Sequence, residues 1–231
     1  MQLRFEWGPT GAAAVAAPVT VVVDVLSFTT TLTVAVERGM TVYPFGWKDE
    51  RAATYAAERD AVLARGRSER AGVSLSPASV RAAAGVERLV LPSPNGSAIA
   101  FGLAGTGATV VGASLRNASA VARWVAGREV SVVAAGERWP DGSLRPAVED
   151  LWGAGAVIAG LVDRGVTGLT PEARMAERAF RSASLPDDLV ACASGQELVE
   201  MGFGGDVDIA AEVDASDVVP VLRGDAFEEA R

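Results

Sequence analysis

Three segments of this sequence place oxygen donors where a helix follows a strand. They are Asp24-Val25-Leu26-Ser27-Phe28-Thr29-Thr30-Thr31, Ser93-Pro94-Asn95-Gly96-Ser97 and Ser114-Leu115-Arg116-Asn117-Ala118-Ser119. The first N–H groups of a helix lack intrahelical partners and together carry about half a positive charge. Hydroxyls and amides at such a turn can therefore help hold a phosphate or a carboxylate. The same residue types are also ordinary N-caps, and both readings stand at this point. The candidate binding residues are Ser27, Thr29, Thr30, Thr31, Asn95, Gly96, Ser97, Ser114 and Asn117. Arg116, Arg138 and Arg145 fall in rim loops, where a guanidinium can grip an acid group with two parallel hydrogen bonds.

Asp24 interrupts an otherwise apolar run, VTVVVDVL, at residues 19–26. A carboxylate buried there is costly unless it meets donors or a cation. Glu149 and Asp150 open a long helix after a loop containing Pro and Gly. Adjacent helical residues point about 100° apart, so one of the two is expected to face a site; a favourable interaction with the helix dipole is the structural alternative. Asp24, Glu149 and Asp150 are thus the candidate catalytic residues and the candidate ligands of a divalent cation such as Mg²⁺, which would polarise a phosphoryl oxygen or activate water, the attacking group being either water or Asp24 itself. Asp206, Asp208, Asp214 and Asp217 read as solvated or turn residues.

The absences narrow the chemistry further. The 231 residues include no His, one Cys (Cys192) and one Lys (Lys48). That excludes a Ser-His-Asp triad, a Cys-His pair, an internal disulfide and a multi-thiolate metal site. No GxxxxGK[ST] loop occurs, and Gly102, Gly105 and Gly107 do not have GxGxxG spacing, so nucleotide-binding loops of those kinds are not expected. The net charge is −8 with scattered arginines, which argues against a nucleic-acid partner. The apolar stretch at 11–23 is too short to span a membrane and lacks the basic flank of a signal peptide. A cytoplasmic location follows as the expectation. The five tryptophans serve core or interface equally well on sequence alone, so a homodimer stays open.

Stepping outward to the elements, residues 19–26 suit a strand buried on both faces, as in a parallel sheet. Further strands are expected at 41–45, 89–91, 109–112, 130–134, 207–210 and 218–222. Helices are expected after Thr31 to 38, at 48–65, from 98, to 126, and at 147–164, 171–181, 187–193 and 196–201; 66–77 and 136–146 read as loops. Alternating strands and helices predict an α/β protein with three α/β/α layers and a largely parallel or mixed sheet. No linker divides residues 1–231, so one domain is expected, and the recurring junctions suggest two similar halves.

Several segments together resemble the 2-phosphosulfolactate phosphatase family. They are VVVDVLSFTTTLTVAVERG (21–39), LSPASV (75–80), LPSPNGSAIA (91–100), GASLRNASAVA (112–122), AAGERWPDGSLRPAVEDLWGAG (134–155) and CASGQELVEMGFGGDVDIA (192–210). The resemblance implies a Mg²⁺-dependent acid phosphatase of α/β fold acting on a small anionic phospho-acid. Its reaction would convert 2-phospho-3-sulfolactate to 3-sulfolactate and phosphate, a step of coenzyme M biosynthesis. Carried over by motif, it points to Asp24, Thr29–Thr31, Asn95-Gly96, Asn117 and Glu149-Asp150. The chain departs from the family in two places. Ser27 stands where Arg is common, and Val73-Ser74-Leu75 occupies a loop that commonly contains Asp.

Two other readings remain at this level. One is a non-catalytic binder of a phosphorylated or sulfonated acid. The other is a transferase using Ser27 or Ser97 as nucleophile, which would need a neighbouring base that the sequence does not offer.

Overall fold

The computed structural model describes residues 2–46, 50–69 and 72–230. Trp47, Lys48 and Arg70 lie outside the described residues. The chain opens with strand β1 (Arg4–Trp7) and helix α1 (Gly8–Ala14), neither of which was expected. Strand β2 (Val19–Val23) leads through the Asp24 turn into α2 (Phe28–Glu37), then β3 (Thr41–Phe45). Helix α3 (Glu50–Ala57) is shorter than the expected 48–65 helix. Asp60 adopts φ 48°, and the chain re-enters the sheet as β4 (Val62–Leu63). The presumed 66–77 loop contains a 3₁₀ turn at Arg67–Glu69 and ends at α4 (Pro77–Ala82).

The alternation continues with β5 (Arg88–Pro92), α5 (Gly96–Leu103), β6 (Thr109–Ala113), α6 (Ala118–Val125) and β7 (Val130–Ala134). The segment expected to be a loop at 136–146 is a small antiparallel hairpin, β8 (Glu137–Arg138) with β9 (Leu144–Arg145). Helices α7 (Val148–Val162), α8 (Pro171–Ser182), α9 (Asp187–Ala191), α10 (Ala193–Glu200) and α11 (Gly204–Ala210) follow. Residues 207–210 therefore lie in a helix, not in the expected strand. Strands β10 (Pro220–Arg223) and β11 (Ala226–Glu229) end the described chain.

Among the described residues, nine strands form one sheet in the order β1-β7-β2-β6-β10-β11-β3-β5-β4. Two parallel ladders, β1-β7-β2-β6 and β3-β5-β4, are joined by the antiparallel β10-β11 hairpin through the pairs Val221↔Val111 and Phe227↔Val42. Helices cover both faces, giving the expected α/β fold with a mixed sheet. The β2 sequence shows why the run is continuously apolar: Val21 and Val23 join one core with Val121, Val157 and Ile158, whereas Val22 joins the opposite core with Leu32, Ile99 and Ala100. Close packing of α7 on α8 depends on Gly155, where a Cβ would meet the Ala176 carbonyl oxygen at 2.1 Å. Among the described residues, no helix is long and apolar enough to cross a membrane.

Candidate active site

The turn after β2 is folded by its own hydroxyls. The Asp24 backbone N–H donates to Thr29 Oγ1 (2.9 Å), and that hydroxyl donates to the Asp24 carbonyl (2.7 Å). Thr30 Oγ1 donates to the Val25 carbonyl (2.7 Å), and Thr31 Oγ1 to that of Leu75 (2.9 Å). With its backbone fixed this way, Asp24 aims its carboxylate at two helix starts. Oδ1 accepts from Phe28 N–H at 3.0 Å and Oδ2 from Gly96 N–H at 2.8 Å. The positive ends of α2 and α5 thus converge on an anion, as the sequence suggests, but the anion is the protein's own Asp24 rather than a ligand.

Gly96 permits this approach. A Cβ there would lie 2.7 Å from Asp24 Cβ and 2.8 Å from both Asp24 Oδ2 and Phe28 Cδ1. Four strands lie between β2 and β5 in the sheet order, so the sheet must curl for their trailing turns to meet.

Asp150, from the first turn of α7, ties the same turn to the end of β7. Its Oδ1 accepts from Val25 N–H at 2.7 Å and its Oδ2 from Gly136 N–H at 2.8 Å. Glu149 is also buried, and the Cys192 thiol faces its Oε2 at 3.6 Å. A fourth acid completes the cluster. Glu137 on β8 accepts from Asn95 Nδ2 at 2.8 Å, so the second junction reaches the cluster through both Asn95 and Gly96. Sequence reasoning missed Glu137 because its segment showed no periodicity; its place in the AGER stretch of the family resemblance was the available signal.

These groups feel one another. Burial raises the Asp24 pKa above the usual carboxylate range, with the Glu149 charge adding to it, while the Phe28 and Gly96 N–H bonds and the Arg67 charge oppose the rise. Asp150 is pushed well above its ordinary value by burial and by the charges of Asp24 and Glu149. Burial, with Asp24 and Glu149, pushes Glu137 to about 7 against the Asn95 hydrogen bond and the Arg145 charge. The Cys192 thiol is driven to about 12, chiefly by burial and then by Glu149, so it is no nucleophile at neutral pH.

A second unforeseen group lies beside Ser27. Arg67 Nη2 donates to Ser27 Oγ at 2.6 Å and to the Leu75 carbonyl at 3.1 Å, while its Nε donates to Asp206 Oδ2 at 3.1 Å. Asp206 is 1 % exposed, contrary to the expectation of a solvated turn residue, and its Oδ1 accepts from Ser76 Oγ at 2.5 Å. Arg67 and Asp206 are 139 positions apart, so no local spacing could have paired them.

Other candidates are engaged elsewhere. Ser97 Oγ accepts from Phe45 N–H (2.8 Å) and donates to the Leu91 carbonyl (2.9 Å), tying α5 to β3 and β5. Ser114 and Asn117 form a capping box: Asn117 Oδ1 accepts from Ser114 N–H at 2.8 Å, and its Nδ2 donates to the Gly112 and Val218 carbonyls. For this third junction the capping alternative describes what the side chains do. Arg116 is buried against Glu37 and Glu212 instead of lying on a rim. Arg138 donates to the Pro94 and Gly142 carbonyls. Arg145 is paired through both Nη atoms with Glu197, although its charge reaches Glu137 and Glu149.

Known proteins are similar in sequence to most of this chain. The family model described as 2-phosphosulpholactate phosphatase matches residues 9–225, a span that takes in all four acids and both converging helix starts. A protein of Deinococcus radiodurans named "Probable 2-phosphosulfolactate phosphatase" is 33% identical over 217 residues, covering 88% of this chain and 87% of its own length. Proteins of the same name from Thermus thermophilus (33% over 235 residues, 97% and 95% covered) and Carboxydothermus hydrogenoformans (29% over 209 residues, 87% and 84% covered) are also similar. The chain therefore belongs to the 2-phosphosulfolactate phosphatases, a family of phosphoric monoester hydrolases.

Proposed function

We propose that the protein hydrolyses 2-phosphosulfolactate, or a closely related small phospho-acid, to the hydroxy acid and phosphate, with Mg²⁺ as cofactor. The observation that carries this reading is the meeting of Asp24, Glu137, Glu149 and Asp150 at the trailing ends of β2 and β7. Four carboxylates that repel one another suit a hard cation, and their oxygen-only chemistry suits Mg²⁺. Among the described residues, no three acidic or sulfur side chains form a ready-made cation site. Mg²⁺ usually takes one or two carboxylates and completes its octahedron with water and phosphate oxygens.

Asp24 and Glu149 are the residues we assign to hold it; when bound, the ion would neutralise charge on the phosphoryl oxygens. Asp150 positions Asp24 by fixing the backbone at Val25 and Gly136. Hydrolysis breaks the oxygen–phosphorus bond, joins a water oxygen to phosphorus and delivers a proton to the departing oxygen. Glu137, at about 7, is matched to carrying that proton near neutrality. Thr29 and Thr30 hold the Asp24 turn instead of touching substrate.

The test is phosphate release by the purified protein from 2-phosphosulfolactate and from other small phospho-acids, with Mg²⁺ and with excess chelator. Release from 2-phosphosulfolactate that stops with chelator and returns with Mg²⁺ supports the reading. Absence of release from every phospho-acid contradicts it.

A further inference from the structure

A site walled by four carboxylates repels a substrate carrying a phosphate and a second acid group. Mg²⁺ would answer for the phosphate, which leaves the second group in need of a cation. Most arginines near the cluster are committed: Arg145 to Glu197, Arg138 to main-chain carbonyls and Arg116 to Glu37 and Glu212. Arg67 differs. Two of its nitrogens fix its orientation through Asp206, Ser27 and Leu75, and its Nη1 has no protein partner among the described residues. Its side chain is 18 % exposed, so a ligand can reach it.

Arg67 also borders a cleft of about 390 Å³ that is lined by the hydroxyl residues Ser74, Ser76 and Ser79 and flanked by Met201 and Phe203. Ser27 joins this cleft to the Asp24 turn, and the Arg67 charge is felt at Asp24. The cleft thus presents a preoriented guanidinium that is bonded to the Asp24 turn through Ser27.

We propose that Arg67 is the specificity-determining residue of this enzyme, its guanidinium binding the sulfonate or carboxylate that the substrate carries beside its phosphate. The inference rests on the phosphatase reading above. It assigns to the neighbourhood of Ser27 a cation held in place by Asp206, Ser27 and the Leu75 carbonyl.

The experiment compares wild type, Arg67→Lys and Arg67→Gln on 2-phosphosulfolactate and on p-nitrophenyl phosphate, which has no second acid group. Losing a charged hydrogen bond should raise KM for 2-phosphosulfolactate at least about tenfold in Arg67→Gln. That rise should exceed the rise in KM for p-nitrophenyl phosphate at least about fivefold, and Arg67→Lys should recover part of the difference. Equal KM changes on both substrates, or no change on either, would overturn the proposal. Because Arg67→Gln leaves Asp206 buried without its partner, the double variant Arg67→Gln/Asp206→Asn serves if the single one does not fold. Calorimetry with 3-sulfolactate separates the two readings if wild type turns over neither substrate. Binding by wild type that is lost in the variant keeps the Arg67 subsite while the phosphatase reading fails; no binding, or equal binding, removes the subsite.

Discussion

The Gly96 N–H donates to Asp24 Oδ2 at 2.8 Å, joining turns that follow two strands with four others between them in the sheet. Asp24 thereby lies between the starts of α2 and α5, where the helix dipoles favour its charged form against the cost of burial. The contact requires the hydrogen side chain of Gly96, since a methyl group would enter both Asp24 and Phe28. Gly96→Ala should cost about 1–3 kcal/mol of stability as overpacking. It should lower kcat about a hundredfold, because the displaced group is Asp24 itself. Urea denaturation followed by circular dichroism, together with phosphate release, measures both effects; a variant with wild-type kcat would remove the contact from the account.

Glu137 gives a pH signature. Its pKa rises from the ordinary 4.5 to about 7, so between those values the folded state holds a proton that the unfolded chain has released. This contribution to stability is complete below about pH 4.5 and is lost as pH rises through 7. Glu137→Gln keeps an acceptor for Asn95 and removes the titration. In chelator it should match wild type near pH 4 and exceed it near pH 8 by on the order of 2–3 kcal/mol. Mg²⁺ should narrow the difference at pH 8 by stabilising ionised carboxylates in the wild type. Denaturation midpoints across this pH range make the comparison, and a constant difference would contradict it.

Asn117 separates capping from ligand binding. Its amide satisfies Ser114 N–H and the Gly112 and Val218 carbonyls. Asn117→Ala should therefore destabilise the protein by roughly 2–4 kcal/mol. KM for the phospho-acid should stay within about twofold under conditions where the variant is folded. A large rise in KM with little loss of stability would return Asn117 to the binding site.

Much of the parallel framework was legible because buried strands write their burial into sequence: β2, β3 and β7 read as Val-rich or apolar runs between helices. The 207–210 segment was not, since Val-Asp-Ile-Ala is too short for its periodicity to distinguish strand from helix. Asp24 stood out because an apolar strand makes a carboxylate conspicuous, and Glu149-Asp150 because they open a helix. Glu137 lies in a two-residue strand that leaves no pattern. The Arg67–Asp206 pair is created by the fold alone, across 139 positions. Conversely, Ser97, Ser114 and Asn117 looked like ligand donors because a helix cap and an anion site use the same residue types.

The proposed function makes Asp24, gripped by two helix starts and surrounded by acids, indispensable to phosphate-ester hydrolysis. Asp24→Asn is nearly isosteric and tests it most directly, through phosphate release from 2-phosphosulfolactate in Mg²⁺ with folding checked by circular dichroism. The account predicts a folded variant whose kcat is reduced at least about a hundredfold. A folded variant that releases phosphate at the wild-type rate would contradict it.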